Sequence, residues 1–451
     1  MSWTHRTWAT SDRIIPKTFV RPFLRFSQIE ASSGIVLLGA AVTALVWANS
    51  QWSDSYFALL EQRLVVELGG FHFDESVQGL VNDGLMAIFF FVVGLEVKRE
   101  LVLGELRAPR AAALPVAAAI GGMIAPAAIF LLMTAGGGSE ATAGWGIPMA
   151  TDIAFALGVV ALLGSRVPAG AKLFLLAVAI VDDIGAIAVI AIFYTSELHG
   201  QYLAAAVVAL AITWVASKVQ VRALWFYGSM ALITWYLTLE SGIHATLAGV
   251  ALALITPAHA YYGRREFDRG ARAILDQFSV DEEDQIEAQE HSDHEVLLIA
   301  TVARESVSPL SRLEHALAGW SSFVVVPIFA LANAGVDFRG VNIVDSLTAP
   351  VALGVATGLI VGKPLGIWVA TLIAVRLRLG ILPAGMSLRH LFGLGVIAGI
   401  GFTVSLFVAG LAYEDPLLRE LAKVGIFAGS LVSGLLGALI LSRGDRGRPE
   451  V

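Results

Sequence analysis

The amino-acid sequence predicts an all-α polytopic membrane protein with about twelve transmembrane helices, built in part from inverted-topology repeats. Three observations predict this class: the composition, a series of long apolar runs, and the uneven placement of Lys and Arg. Of the 451 residues, 57% are hydrophobic and 15% are charged, and the mean hydropathy is +0.75. Soluble domains carry about 25% charged residues. A soluble enzyme or a disordered scaffold is therefore disfavoured, and the net charge of −7 argues against a nucleic-acid partner.

Twelve apolar segments approach the length of about 20 helical residues that is needed to cross a hydrocarbon core of about 30 Å. Only a short polar stretch at 217–222 separates the sixth segment from the seventh. The predicted spans cover residues 31–49, 77–97, 111–135, 145–164, 170–194, 202–217, 223–239, 241–260, 317–336, 349–375, 388–413 and 420–442.

The positions of Lys and Arg give an independent test of these spans. Of the 30 Lys and Arg residues, 25 fall in alternate connections that include both tails, four fall in the opposite set, and Lys363 falls inside a span. Cytoplasmic loops carry the excess of positive charge, and an odd number of spans would destroy the alternation. Both termini are therefore predicted to be cytoplasmic, with residues 1–29 as a cytoplasmic tail.

The predicted outer loop, residues 50–76, contains an alternation of apolar and polar side chains on both sides of Gly69-Gly70. A Gly-Gly pair between alternating segments is typical of a two-residue β-hairpin. The exposed edge of such a hairpin can pair with a second copy of the chain. A short interfacial helix is the alternative.

Residues 258–305 form the longest connection, an insert on the predicted cytoplasmic side. Between Asp276 and Glu295 it has nine acidic residues and neither Lys nor Arg. This composition favours a solvated, partly helical insert, and a regulatory role for His291 and His294 is the alternative.

Several ionisable residues lie inside the predicted spans, where a charge costs about 2.5–3.5 kcal/mol on insertion scales. Asp182 and Asp183 lie near the middle of the fifth span, and Lys363 lies at the same depth in the tenth. Asp152 is slightly nearer the outer surface. The full set is Asp83, Asp152, Asp182, Asp183 and Lys363, with His244 near the outer end of the eighth span.

Three acids at mid-membrane face a single base, so a purely structural ion pair leaves negative charge without compensation. Burial of such a carboxylate favours its protonated form, and a hard cation bound by oxygen atoms neutralises it equally well. A site that accepts either H⁺ or a cation, but not both, couples the two flows as an exchanger. The chain has no cysteine, and oxygen ligands suit Na⁺ or Li⁺, although these residues alone do not exclude K⁺ or Ca²⁺.

Two spans contain residues that interrupt a helix. Pro148 lies in the fourth span and removes a backbone donor, and four glycines, at 393, 395, 399 and 401, precede Thr403 in the eleventh. Close packing of neighbouring helices is the alternative for either segment alone. Together they place an interrupted central helix in spans 3–5 and in spans 10–12, two triplets of opposite orientation, as in inverted-repeat transporters. Asp152 would then compensate the positive helix ends and Lys363 the negative ones.

At this point the chain resembles the NhaA sodium/proton antiporters, over nearly all of residues 30–442 except the acidic insert. This family is itself an example of the inverted-repeat arrangement. The matching motifs are GLEVKRE at 94–100, ATDIAFALG at 150–158, VDDIGAI at 181–187, GIHATLAG at 242–249, GKPLG at 362–366 and GIGFT at 399–403.

The resemblance implies that Asp182 and Asp183 bind Na⁺ or Li⁺ and protons, and that Lys363 interacts with Asp182. It places Thr151 and Asp152 at the crossing of the broken helices. It further implies exchange of two H⁺ for one Na⁺, which is electrogenic, by a homodimer in the bacterial cytoplasmic (inner) membrane. No cofactor beyond the transported ions is expected.

The resemblance also implies activation at alkaline pH through a cytoplasmic cluster. The matching positions are Glu96, Glu100, Glu314 and His315, and the sequence departs from the family pattern at Ala318, where a further His is found. A solvated helix end is the alternative for the cluster. The secondary candidates for a role in transport are Asp83, His244 and Thr403.

Two other functions use charged residues within a membrane. An intramembrane aspartyl protease needs two carboxylates on different helices, with Tyr-Asp and Gly-x-Gly-Asp motifs, and neither motif occurs in the sequence. A cation channel favours a symmetric pore lining from several subunits, whereas this chain carries its own inverted pair. The expectation is therefore a transporter that is not an enzyme.

Overall fold

The computed structural model describes residues 32–68, 71–195, 198–221, 223–277, 296–339 and 342–443. The predicted N-terminal tail, the Gly69-Gly70 turn, and His291 and His294 of the insert lie outside the described residues. In chain order the elements are α1 (Ser32–Ala48), α2 (Ser53–Glu61), β1 (Arg63–Leu68), β2 (Phe71–Ser76), α3 (Val77–Val102), α4 (Pro109–Thr134), α5 (Gly138–Met149), α6 (Ile153–Arg166), α7 (Ala169–Phe193), α8 (Gly200–Lys218), α9 (Leu224–Glu240), α10 (Thr246–Ile255), α11 (Arg264–Gln277), α12 (296–305), α13 (Pro309–Asn333), α14 (Ile343–Thr348), α15 (Pro350–Arg376), α16 (Leu388–Ala398), α17 (Phe402–Ala412) and α18 (Pro416–Ser442).

Helices lie at all twelve predicted spans, and the predicted fold class, an all-α polytopic membrane protein, is confirmed. Within the described residues, seven single helices are long and apolar enough to cross a membrane, and ten spans result if each bent helix pair counts as one. Shorter helices, such as α10, occupy the remaining predicted positions. The exposed faces are rich in Leu, Ile and Val, as is expected where lipid rather than water surrounds the protein.

The fourth and eleventh spans are both interrupted. Helix α5 meets α6 at a bend of 41°, and α16 meets α17 at a bend of 45°. The first break covers residues 150–152 and the second covers residues 399–401. Pro148 lies in the last turn of α5 rather than in the break itself.

Helices α4 and α15, the third and tenth spans, pack against each other with their backbones in close contact. A Cβ atom on Gly366 would lie 2.0 Å from the carbonyl oxygen of Gly121, and one on Gly121 would lie 2.3 Å from the carbonyl oxygen of Gly366. Side chains cannot be accommodated at this distance, so the glycines permit the contact. The contact joins the first helix of one predicted triplet to the first helix of the other.

Two sequence-based placements differ from the structure. His244 was expected inside the eighth span, but α10 begins only at Thr246, so His244 lies in the turn before the helix. The ninth span begins at Pro309 instead of 317, because Ser308 caps the helix by accepting a hydrogen bond from the backbone N–H of Ser311, and Pro309 occupies the first turn. Glu314 therefore lies within a helix and not in a connection.

The loop before α3 contains an antiparallel pair of strands, β1 and β2, in a register that pairs Arg63 with Ser76 and Leu68 with Phe71. An ion pair joins Arg63 Nε to Asp74 Oδ1 at 2.7 Å across the strands. Val65 is 53% exposed, and among the described residues no third strand pairs with β1 or β2.

Candidate ion-binding site

The two breaks contact each other directly. The backbone N–H of Asp152 donates to the carbonyl of Ile400 at 2.6 Å, and the hydroxyl of Thr151 lies 2.9 Å from the carbonyl of Ala398. A further hydrogen bond runs from the hydroxyl of Ser405 to the carbonyl of Ile147 at 2.7 Å. Part of the backbone at each break is thus satisfied by the other broken helix. Sequence reasoning did not single out Ser405.

Asp152 joins the N-terminal ends of α6 and α17. Its Oδ1 accepts from the backbone N–H of Phe155 at 3.0 Å. Its Oδ2 accepts from the backbone N–H of Thr403 at 3.1 Å and from the Thr403 hydroxyl at 2.6 Å. One buried carboxylate therefore compensates two positive helix ends and caps both helices.

Lys363 is completely buried, and its ammonium group has two partners. It forms an ion pair with Asp182 Oδ2 at 2.6 Å and donates to the carbonyl of Met149, the last residue of α5. A π-helical turn, Gly358–Gly362, immediately precedes Lys363 in α15, and such turns are frequent at functional sites. Lys363 thus compensates one negative helix end and one carboxylate.

Asp182 and Asp183 project from the middle of α7 and are 1% and 3% exposed. Asp182 Oδ2 contacts both Lys363 and the Thr151 hydroxyl, whereas Asp182 Oδ1 is buried with no hydrogen-bond partner among the described residues. Within the same part of the chain, the carboxyl group of Asp183 also has no hydrogen-bond partner, and it lies within electrostatic range of Asp182, Lys363 and Glu96. The charge of Asp183 is therefore compensated by neither an ion pair nor a hydrogen bond among the described residues.

The hydroxyl of Thr151 lies between two acceptors. It is 2.8 Å from Asp182 Oδ2 and 2.9 Å from the carbonyl of Ala398. A hydroxyl has a single hydrogen atom but can also accept. When Asp182 is ionised, Thr151 can donate to it, and when Asp182 is protonated, Asp182 can donate to Thr151 while Thr151 donates to Ala398. The same positions of the heavy atoms therefore serve both protonation states.

Three predicted carboxylates meet around an arginine that sequence reasoning missed. Arg99 forms an ion pair with Glu314 at 2.6 Å and a longer one with Glu100 at 3.6 Å. Glu96 lies within electrostatic range of Arg99, Glu100 and Glu314. The spacing of Arg99, three residues after Glu96, was visible in the sequence, but its partner on α13 was not. His315 lies within electrostatic range of Glu314.

Asp83 and His244 line one cavity of about 200 Å³, away from the crossing. The His244 ring nitrogen Nε2 contacts the carbonyl of Tyr194. Asn333 donates to the side-chain oxygen of Asn82 at 2.7 Å in the same cavity. The structure thus separates these two secondary candidates from Asp182, whereas it joins Thr403 to the crossing through Asp152.

Helices that are broken at mid-membrane and held together by buried charges define a secondary transporter, because irregular backbone at that depth persists only where protein or a water-filled cavity satisfies it. The chain belongs to the Na⁺/H⁺ antiporter 1 family, whose profile matches residues 24–441. It is a Na⁺/H⁺ antiporter, with Na⁺ and H⁺ as its substrates. The resemblance drawn from the sequence motifs is confirmed.

Several curated relatives cover almost the whole chain. It is 46% identical to the Na⁺/H⁺ antiporter NhaA of Oleidesulfovibrio alaskensis, with 95% of each chain covered. It is 45% identical to NhaA of Koribacter versatilis, with 95% of this chain and 92% of the relative covered. It is 48% identical to NhaA of an Anaeromyxobacter species, with 94% of this chain and 91% of the relative covered.

Proposed function

We propose that Asp182 and Asp183 form the site at which H⁺ and Na⁺ or Li⁺ exclude each other, so that cytoplasmic Na⁺ leaves in exchange for external H⁺. The observation that carries this proposal is the unequal compensation of the buried charges. Lys363 pairs with Asp182 and Asp152 caps two helix ends, but among the described residues Asp183 has neither an ion pair nor a hydrogen bond, and Lys363 acts on it only from a distance. A buried carboxylate in this position is stable only when it is protonated or binds a cation.

Binding of the cation requires Lys363 to give up its contact with Asp182. The ammonium group and an alkali ion would compete for the same carboxylate oxygens, and Asp182 Oδ1 is the one without a partner among the described residues. Lys363 can keep its hydrogen bond to Met149 when the ion pair opens. Thr151 supplies a neutral oxygen beside Asp182, which suits a hard cation.

The exchange of two H⁺ for one Na⁺ follows if each carboxylate carries one proton in the proton-loaded state. The transport cycle then moves one net positive charge and is electrogenic. Two adjacent buried carboxylates on one helix support this stoichiometry, which agrees with the family resemblance.

We further propose that the cluster around Arg99 controls activity, with transport switched on at alkaline pH. Glu96, Glu100, Glu314 and His315 are the titratable members. The cluster connects α3 to α13 through the Arg99–Glu314 ion pair, and Glu96 lies within electrostatic range of Asp183. A change of charge in the cluster would therefore act on both the helix contact and the ion site.

The protein is a multi-pass membrane protein, and we place it in the bacterial inner membrane with both termini in the cytoplasm. The distribution of Lys and Arg supports this orientation. The open edge of the β1–β2 sheet supports a homodimer in the lipid bilayer, since an exposed strand can pair with its copy. In this proposal the transporter is not an enzyme and uses no cofactor.

The test is exchange by the purified protein in proteoliposomes, driven by an imposed pH gradient and measured with Na⁺, Li⁺ and K⁺ across pH. Asp183→Asn should abolish exchange while the protein remains inserted. Asp345→Asn is the matched control, since Asp345 lies in the first turn of α14 outside the crossing, and it should exchange at the wild-type rate. Exchange by Asp183→Asn at the wild-type rate would show that the site is elsewhere.

Calorimetry on the detergent-purified protein gives a second measurement that does not depend on transport. Addition of Na⁺ to the wild type should release protons, and the enthalpy should therefore change with the ionisation enthalpy of the buffer. Na⁺ binding without proton release, at a pH where exchange is active, would contradict competition between the two ions.

A further inference from the structure

A cleft of about 330 Å³ lies on the outside of the helix bundle, between α15 and α16. Its walls combine apolar and aromatic side chains with a single charged one. Leu365 and Leu388 are 43% and 51% exposed, and Trp368 and Phe392 contact each other edge to face with their ring centres 6.4 Å apart. The lining residues are Leu365, Trp368, Leu388, Arg389 and Phe392.

Arg389 lies at one end of the cleft with its side chain held in place. Its Nε donates to the carbonyl of Ile440, near the C-terminal end of α18, at 3.2 Å. Neither terminal nitrogen of the guanidinium has an acidic partner within the described part of the chain. A guanidinium fixed in this way presents two parallel donors of the kind that bind a phosphate group.

Two further arginines lie at the ends of the helices that pack against α16. Arg376 lies in the last turn of α15, and Arg443 follows the last residue of α18. The sequence has no Asp or Glu between Asp345 and Glu414. Residues 346–413 therefore contain no anion for Arg389, and an anionic ligand would complement its charge.

Trp368 adds a second polar group to the lining of the cleft. Its indole N–H has no hydrogen-bond partner among the described residues, although it is only partly exposed. Indole rings favour the level of the membrane interface, where the ring is apolar and the N–H can donate. An ester carbonyl is an acceptor that this N–H could reach.

We propose that this cleft binds one anionic phospholipid, with its phosphate on Arg389, a glycerol ester near Trp368 and an acyl chain against Leu365 and Phe392. A guanidinium beside exposed apolar and aromatic side chains matches the combination of an anionic headgroup with an acyl chain in such a lipid. The predicted positive charge of the cytoplasmic connections places the lipid in the inner leaflet, and this placement rests on the proposed orientation.

The lipid would contact two elements of the ion-binding site at once. Leu365 is two residues beyond Lys363 in α15, and Leu388 begins α16, whose last residue contacts Thr151. Occupation of the cleft would therefore hold α15 against α16 close to the crossing. We expect the bound lipid to be retained through purification and to support exchange.

Native mass spectrometry of the full-length, detergent-purified protein tests the proposal with two probes that share acyl chains, dioleoylphosphatidylglycerol and dioleoylphosphatidylcholine. The wild type should bind the anionic lipid about tenfold more tightly, because both lipids carry a phosphate but only phosphatidylcholine has a choline cation that repels Arg389 and offsets the charge of that phosphate. Arg389→Gln should remove that preference. Arg389→Lys keeps the charge but loses the two-donor geometry and should give an intermediate value.

Lys218→Gln is the control, because Lys218 is another positive charge in the last turn of a span, α8, outside the cleft. It should bind both lipids as the wild type does. Equal binding of the two lipids by the wild type would overturn the proposal, as would an unchanged preference in Arg389→Gln or an equal loss in Lys218→Gln. The wild-type comparison holds even if the Arg389 variants fail to fold.

Discussion

Replacement of Asp152 by Asn tests whether one carboxylate holds the two broken helices together. The amide keeps the size of the side chain but removes the charge that accepts from Phe155 N, Thr403 N and Thr403 Oγ1. A hydrogen bond to a charged group contributes about 1.5–3 kcal/mol and a neutral one about 0.5–1.5 kcal/mol. A loss of about 1 kcal/mol at each of these three hydrogen bonds predicts a destabilisation of about 3 kcal/mol in total. The amide also has to turn its N–H₂ group, which cannot accept a hydrogen bond, towards one of the donors.

Asp415 provides a matched control. Its Oδ1 caps α18 by accepting from the backbone N–H of Leu417 at 2.9 Å, but the residue is exposed. Asp415→Asn should cost less than about 1 kcal/mol, as for an ordinary exposed helix cap. The two variants and the wild type can be compared by unfolding in mixed micelles, followed by Trp fluorescence, and by exchange in proteoliposomes.

The outcome for Asp152→Asn is informative in both assays. A loss of stability with weakened exchange is the expected result. An Asp152→Asn protein as stable as the wild type, or an Asp415→Asn protein that loses as much stability as Asp152→Asn, would refute the reasoning that buried capping of two helix ends is the important contribution.

Three further predictions concern other parts of the protein. Lys363→Arg should retain more exchange activity than Lys363→Ala, because it keeps a positive charge near Asp182; equal rates for all three forms would show that this charge is dispensable. Gly366→Ala should destabilise the protein by about 1–3 kcal/mol, since its Cβ would meet a backbone oxygen at 2.0 Å, while Gly228→Ala, which has open space, should be neutral or stabilising in the same unfolding measurement. Burial raises the pKa of Glu75 in the hairpin, so the folded hairpin favours the protonated carboxyl group and should weaken as pH rises through that pKa. Hydrogen exchange of the β1 amides should report this loss of stability. Glu75→Gln should remove the pH dependence.

The positions of the helices were largely predictable because apolar length alone determines a membrane span. The ends of the helices were less predictable where a capping residue or a turn, and not the apolar run, determines where a helix begins. Ser308 and Pro309 form an N-cap followed by proline, a signature of a helix start that was present in the sequence, and it moves the start of α13 to Pro309, eight residues before the apolar run. His244 lies before α10 because the helix contains only ten residues.

The breaks were predictable as regions but not as residues. Pro148 indicated an interruption, yet the helix continues past it as a tight turn to Met149 and ends at residues 150–152. The end falls there because Thr151 and Asp152 find partners on the opposite broken helix. Those partners are about 250 positions away in the sequence, and no local pattern reports them.

The charged residues of the candidate site were predictable because charge at mid-membrane needs compensation. The pairing of these charged residues with one another was not predictable from the residues alone. The residues by themselves leave open which acid pairs with Lys363, and only the family resemblance implies Asp182. The structure places Lys363 on Asp182 and leaves Asp183 with neither an ion pair nor a hydrogen bond among the described residues. Arg99 was missed because its role depends on Glu314, which lies on a distant helix.

The glycine contact between α4 and α15 has a counterpart elsewhere in the bundle. A Cβ on Gly249 of α10 would lie 2.2 Å from the backbone oxygen of Ala87 in α3, so the backbones of these two helices are also in close contact. Helix α7 contacts one helix of each pair, α4 of the first and α3 of the second, and it carries Asp182 and Asp183. A movement of one close-packed pair relative to the other would therefore act directly on the helix that carries both acids.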